Sequence, residues 1–292
     1  MAEVPASRAR SNYAEASEPD RRPRRQVAGG PSASRGWAIF SDPLAVPILG
    51  ESADAICREV SERPELRALR LFVAVRSRFA EDSLARAVER GVRQAVILGA
   101  GLDTFGLRNP HADNGLRVIE VDHPATQAWK RERLDKAKLS VPEALSFASV
   151  DFERQALFDG LCGAGFKREL PAFFMWLGVV PYLSRDAVFA TLYSISALAD
   201  VEVVFDYAEP AEAYPAARRA GFEAMAARVA ALGEPWLSFF DPAKLRSELA
   251  PLGFSEIEDL DPREIAIRYF GELVPPVNTA GPHVIRVRKP AS

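Results

Sequence analysis

Two glycines, an acid and a threonine fall within Gly99-Ala100-Gly101-Leu102-Asp103-Thr104, directly after the apolar run Ala95–Leu98. Glycines in that place let a backbone turn tightly and approach a ligand closely. A second apolar run, Leu116–Val121, ends on Asp122, 23 residues beyond Gly99. A carboxylate there accepts hydrogen bonds from ribose hydroxyls, so the two signals together point to an adenosine-bearing cofactor. A dinucleotide fingerprint needs a third glycine, where a helix N-terminus receives the pyrophosphate. Thr104 stands at that place, with the negative charge of Asp103 beside it. Asp103 repels an anion and tolerates a cation. The residues therefore favour S-adenosylmethionine, with its sulfonium and ammonium groups, over a nicotinamide dinucleotide.

Two further positions fit an adenosine ligand. Asp151-Phe152 follows a third run, Ser146–Val150, where an acid can bond the adenine amino group and an aromatic can pack on the ring. Arg76 interrupts an apolar helical face between Phe72 and Phe79, and an inward cation is costly unless paired. The cofactor's carboxylate and a structural acid are both open as its partner. Substrate walls are expected beyond the C-terminal ends of the strands. Tyr182 and Tyr207 are the first candidates, because each follows a strand. Tyr214, Phe222, Met225, Trp236, Phe239 and Phe240 come next, although aromatics at helical spacing more often belong to a core; Arg268, beside Tyr269, reads first as a surface arginine and second as a carboxylate clamp. His123 sits on the ribose side and His283 opens the last strand, so neither stands as a general base. That leans the chemistry toward an acceptor already ionised at neutral pH.

The elements that must position these residues alternate. Apolar residues recur at spacings of three and four from Leu66 to Arg90, and Gly91 ends that helix. Strands are predicted over Ala95–Leu98, Leu116–Val121, Ser146–Val150, Ala172–Trp176, Val201–Asp206, Ser255–Asp259 and His283–Arg288. Helices fall between them, over 124–138, 153–162, 184–199, 211–231 and 242–251. Such alternation implies an α/β, mainly parallel, doubly wound sheet. The expected organisation is a basic, disordered tail over 1–35 and one domain over 36–292. Within that domain, 36–92 forms a helical cap and 93–292 a core with a substrate insertion near 208–241. Order is expected to begin near Trp37, with Ser41-Asp42-Pro43 as a helix-start signal.

Composition narrows the partners. The chain has 292 residues, 48% of them hydrophobic, and 37 basic against 40 acidic side chains give a net charge of −3. That balance offers no broad positive field for nucleic acid. Cys57 and Cys162 lie far apart, and the three histidines are isolated, so neither a disulfide nor a metal site is expected. A polar N-terminus and the lack of a long apolar run imply a cytoplasmic protein with no membrane partner.

At these residues the chain resembles the leucine carboxyl methyltransferase family, with its bacterial and natural-product branches. The resemblance rests on Ile39-Phe40-Ser41-Asp42-Pro43-Leu44-Ala45, Gln94 through Thr104, and Val118 through Pro124. It continues in Asp151-Phe152 and in Trp176-Leu177-Gly178-Val179-Val180-Pro181-Tyr182-Leu183. It implies a seven-stranded, Rossmann-like class I methyltransferase sheet under an N-terminal helical cap. It places Gly99, Gly101 and Asp103 at the methionine side of the cofactor, Asp122 at the ribose, Asp151 and Phe152 at adenine, and Arg76 at the methionine carboxylate. Family members methylate carboxylates, and polyketide-pathway relatives methylate carboxyl or hydroxyl groups of small molecules. Many members carry a Glu where this chain has Leu177, which leaves the cofactor's ammonium to backbone carbonyls or Asp103. O-Methylation of a carboxylate is the leading expectation. Hydroxyl methylation in secondary metabolism and a non-catalytic cofactor-binding protein remain as alternatives.

Overall fold

The architecture rests on strands buried on both faces, which only helices on both sides can cover. In this computed structural model, which describes residues 39–50, 52–150, 156–231, 233, 235–271 and 280–291, seven strands form one sheet. They are β1 (Gln94–Leu98), β2 (Arg117–Asp122), β3 (Leu145–Ser149), β4 (Ala172–Trp176), β5 (Val201–Ala208), β6 (Glu256–Leu260) and β7 (Pro282–Lys289). Their order is β3-β2-β1-β4-β5-β7-β6. Strands β1 to β5 pair in parallel, and β7 runs antiparallel between β5 and β6. This is the Rossmann-like class I sheet that the resemblance implies. The expected tail over 1–35, and Trp37, lie outside the described residues.

Ten helices accompany the strands among the described residues: α1 (Ala45–Leu49), α2 (Ala53–Glu62), α3 (Arg67–Glu89), α4 (Phe105–Arg108), α5 (Pro124–Ala137), α6 (Leu157–Gly163), α7 (Arg185–Ser196), α8 (Ala216–Ala231), α9 (Pro242–Leu249) and α10 (Pro262–Phe270). Leu98, Phe174 and Phe205 belong to one core with Leu161 of α6, Leu192 of α7 and Leu249 of α9. Ile97, Met175 and Val204 belong to the other, with Val75, Phe79 and Leu84 of α3. The long α3 is thus a layer of the sandwich. The segment ahead of it reaches the glycine loop, because Thr104 Oγ1 donates to the Asp42 carboxylate at 2.6 Å. Arg133 of α5 donates to Leu49 O at 2.8 Å, which ties down the end of α1.

Several element ends shift by one to a few residues, and three larger differences from the sequence reading stand out. The helix expected from 211 begins at Ala216, with a separate 3-10 turn at Ala211–Ala213 ahead of Pro215. Strand β5 runs on to Ala208, because antiparallel β7 brings Pro282 opposite it. Helix α10 was not expected, although Asp261 and Glu264 form a capping box and Pro262 holds the first helical position.

The antiparallel edge carries a closed polar network. The Tyr207 ring stacks on His283 with centroids 4.8 Å apart, and its hydroxyl donates to Asp259 Oδ2 at 2.7 Å. His283 Nδ1 lies 3.0 Å from Asp259 Oδ1, and Nε2 lies 3.3 Å from Glu209 Oε1. Burial lowers the imidazole pKa, but hydrogen bonds and charges from Asp259 and Glu209 outweigh it, and the net shift is upward. A raised folded pKa stabilises fully below the unfolded value of about 6.5 and less as pH rises through the folded value. The stability advantage of the protein over His283→Asn, measured by denaturant unfolding, should be level below about pH 6 and shrink above about pH 6.5. An advantage that grows with pH would contradict the network.

Candidate functional site

A crevice opens at the C-terminal ends of β1 and β4, because the chain leaves β1 toward β2 and leaves β4 toward β5 on the opposite side. Gly99 and Gly101 have φ of 64° and 50°, the left-handed region that a Cβ disfavours. A Cβ on Gly99 would meet Val179 Cγ2 at 2.5 Å, so the loops after β1 and β4 touch. Gly101 N–H donates to Asp122 Oδ2 and His123 N–H to Asp122 Oδ1, both at 2.7 Å. Asp122 therefore tethers the glycine loop as well as ending β2, and each of its oxygens keeps capacity for another donor. Asp151 and Phe152 lie outside the described residues. Just before them, Val150 N–H donates to Asp122 O at 3.0 Å.

The loop's far end is already satisfied. Asp103 Oδ1 accepts the Phe105 N–H at 2.7 Å, capping α4, which is a single turn. The place where a dinucleotide's pyrophosphate would rest holds a carboxylate and the tied Thr104 hydroxyl.

Behind the loop lies an ion pair that the sequence reading missed. Lys130 of α5 pairs with Glu120 of β2 and donates to the Asp103 carbonyl at 2.5 Å. Both side chains are fully buried. Burial pushes the Glu120 carboxyl up, to about 7, against the pull of Lys130. The signal was present as an acid inside the apolar run Val118-Ile119-Glu120-Val121. A buried acid needs a cation.

Arg76 of α3 points inward, as expected, and meets Asp206 of β5: Nη1 donates to Asp206 Oδ2 at 2.6 Å. Gly178 N–H donates to the other oxygen, Oδ1, at 2.6 Å. Among the described residues, Arg76 Nε is buried without a hydrogen-bond partner. Gly178 has φ of 72°, and a Cβ on it would lie 2.6 Å from Arg76 Nη2. The guanidinium thus passes closely over the end of β4. Asp206 was read only as the last residue of a strand.

The candidate walls separate. Tyr182 is half-buried in a 3-10 turn after β4, and the segment following α8 lies on that turn. Leu237 N–H donates to Pro181 O at 2.7 Å, and Ser238 Oγ donates to Val180 O at 2.9 Å. Tyr207 is corrected as a wall residue: it is buried, and its hydroxyl is spent on Asp259. Alternation along β5 turns it to the face opposite Asp206. Arg268 is partly exposed and donates to Glu258 at 2.5 Å, the engagement of a surface arginine rather than of a carboxylate clamp. Phe222 gathers Tyr214, Trp236 and Phe239, with centroids 4.5, 5.6 and 5.7 Å away. Met225 is half-buried on α8, and Phe240 belongs to the core.

The sequence profile of the leucine carboxyl methyltransferase family matches residues 31–196, more than half of the chain. The chain belongs to this family. The match includes the glycine loop, Asp122, Arg76 and the loop after β4. Two relatives bear names that assign them as S-adenosyl-L-methionine-dependent methyltransferases. YktD of Bacillus subtilis is 36% identical over 198 residues, which make up 67% of this chain and 64% of YktD. A Saccharopolyspora erythraea protein is 31% identical over 186 residues, covering 59% of this chain and 61% of that protein. The chain thus spans somewhat under two thirds of either relative's length. Among the described residues no helix is long and apolar enough to cross a membrane, and no cluster of three His, Cys, Asp or Glu side chains could hold a metal ion.

In this family member the Lys130–Glu120 pair supports the glycine loop from beneath. Removing one partner of a buried pair strands the other's charge. Lys130→Met should therefore cost about 3–5 kcal/mol of stability, read from chemical denaturation. The double variant with Glu120→Leu should recover part of that loss.

Proposed function

We propose that the chain is an S-adenosylmethionine-dependent O-methyltransferase whose acceptor is a small-molecule carboxylate. The observation that carries the cofactor reading is Arg76. A buried donor left unsatisfied costs the full desolvation of that group, and among the described residues Arg76 Nε is such a donor, on a guanidinium that lies against Gly178 in the loop after β4. The cofactor's carboxylate would complete it. Gly99 and Gly101 give the close backbone approach, Asp122 would take the ribose hydroxyls, and Asp103 keeps the loop's field negative. Asp151 and Phe152 remain assigned to adenine. The pre-capped α4 argues against a dinucleotide. The relatives' names and the family match support the same reading.

When bound, S-adenosylmethionine supplies a methyl group on positively charged sulfur. The protein's own task is then to align the acceptor and exclude water. Three candidate bases among the described residues are otherwise engaged. His283 faces an acid at each ring nitrogen, and burial together with Asp259 pushes the Tyr207 phenol far up. His123 Nδ1 accepts the Ala125 N–H at 3.2 Å as the cap of α5. An acceptor that arrives ionised needs none of them. Tyr182 and the aromatic side chains of 214–239 are the proposed walls, which suits a small organic acid of secondary metabolism.

Titration calorimetry should show binding of S-adenosylhomocysteine and no comparable binding of NAD. The opposite preference would remove the cofactor reading. Single-turnover methyl transfer should stay nearly flat from about pH 6 to 9, because a carboxylate is ionised throughout. The product should release methanol in mild alkali. A rate rising with pH and an alkali-stable product would assign a hydroxyl acceptor instead.

A further inference from the structure

A buried ion pair contributes little net stability, because desolvating two charges offsets most of their attraction. Arg76 and Asp206 form such a pair at the crevice wall rather than in the core. Their side chains are 12% and 5% exposed, which is open enough for a ligand's edge and dry enough for strong electrostatics. Asp206 reaches this wall because it lies near the C-terminal end of β5, one residue beyond Phe205, which is registered with Trp176 at the end of β4. Position 177 is therefore its strand neighbour, and Leu177 carries no charge there. Each Asp206 oxygen accepts one bond, from Arg76 and from Gly178, and retains capacity for another. Val179, next along, touches Gly99. The pair thus adjoins the glycine loop.

Resting on the cofactor reading above, we infer that Arg76 and Asp206 read the cofactor's amino-acid end as a zwitterion. Arg76 takes the carboxylate, and Asp206 takes the amino group that no acid at position 177 can hold. A fixed pair of opposite charges complements a ligand that carries both on one carbon. A ligand with only one of them leaves one member of the pair less well satisfied. This assignment replaces the expectation that backbone carbonyls or Asp103 hold the ammonium. The Asp103 Oδ1 bond to Phe105 N–H gives that acid a loop-capping role of its own. Asp206 also orients Arg76, and its bond to Gly178 N–H sets the backbone over which the guanidinium lies.

The test compares three ligands by calorimetry on the full chain. S-adenosylhomocysteine carries amine and carboxylate, 5′-(3-aminopropyl)thioadenosine carries the amine alone, and 5′-methylthioadenosine carries neither. Asp206→Asn keeps an oxygen for Gly178 N–H and removes the charge. It should weaken the first two ligands about 10- to 100-fold, the range for a hydrogen bond to a charged group, and leave methylthioadenosine within about two-fold. Arg76→Gln should abolish the preference for S-adenosylhomocysteine over the aminopropyl compound and spare the aminopropyl compound. Equal loss of all three ligands in Asp206→Asn would make the residue purely structural and overturn the inference. Loss confined to S-adenosylhomocysteine would show that Asp206 only orients Arg76, and would overturn the amino-group assignment. If the unaltered protein binds none of the three, the cofactor reading itself fails and takes this inference with it.

Discussion

Two backbone amides, those of Gly101 and Gly178, each donate to a carboxylate at or near the C-terminal end of the neighbouring strand, and the crevice depends on that arrangement. Asp122 of β2 holds the loop after β1, and Asp206 of β5 holds the loop after β4. The two acids stand on opposite sides of the β1–β4 junction, so the same device frames the crevice twice. A glycine amide held by a charged acceptor is fixed more firmly than one held by a neutral carbonyl. Both glycines have positive φ, so the backbone conformation and the tether select the same residue type. The rest of the site is built against these two fixed points: Lys130 beneath the first, Arg76 across the second.

The frame also explains why polar groups accumulate behind it. Lys130 pins the Asp103 carbonyl, and Glu120 neutralises Lys130. Asp42, from the N-terminal segment, takes the Thr104 hydroxyl and lies 3.6 Å from Arg108 Nε. Each interaction satisfies a group that the glycine loop would otherwise leave buried and unbonded. The segment between β5 and α9 is built differently, from aromatic contacts around Phe222, and residues 237–240 rest on carbonyls of Val180, Pro181 and Ala208.

What the sequence made legible follows from range. The seven strands, the glycine loop and Asp122 were visible because apolar runs and turn residues are local signals. Arg76 was recognised as inward-pointing from helical spacing, but its partner lies 130 residues away, beyond the reach of any pattern. Asp206 was overlooked because a polar residue at a strand's end reads as a turn. Tyr207 was placed in the cleft on the same logic and failed, since β7 extends β5 and buries the next position. Glu120 and Lys130 carried a usable signal, an acid within an apolar strand and a lysine on the following helix. That signal identifies a pair only when the helix is already known to pack behind the loop.

The 130-residue separation of Arg76 from Asp206 has a consequence for biosynthesis. Translation from the N-terminus delivers α3, the glycine loop and Asp122 well before β5 exists, and synthesis proceeds at about 5–20 residues per second. During that interval Arg76 is an uncompensated cation on a helix whose apolar face awaits β4, β5 and β7. Helix α3 is therefore made early and docked late. A nascent chain halted before residue 206 carries the recognisable motif and no finished crevice. Because Asp206 holds both Arg76 and the Gly178 amide, the wall at the end of β4 takes its final form only once β5 is made.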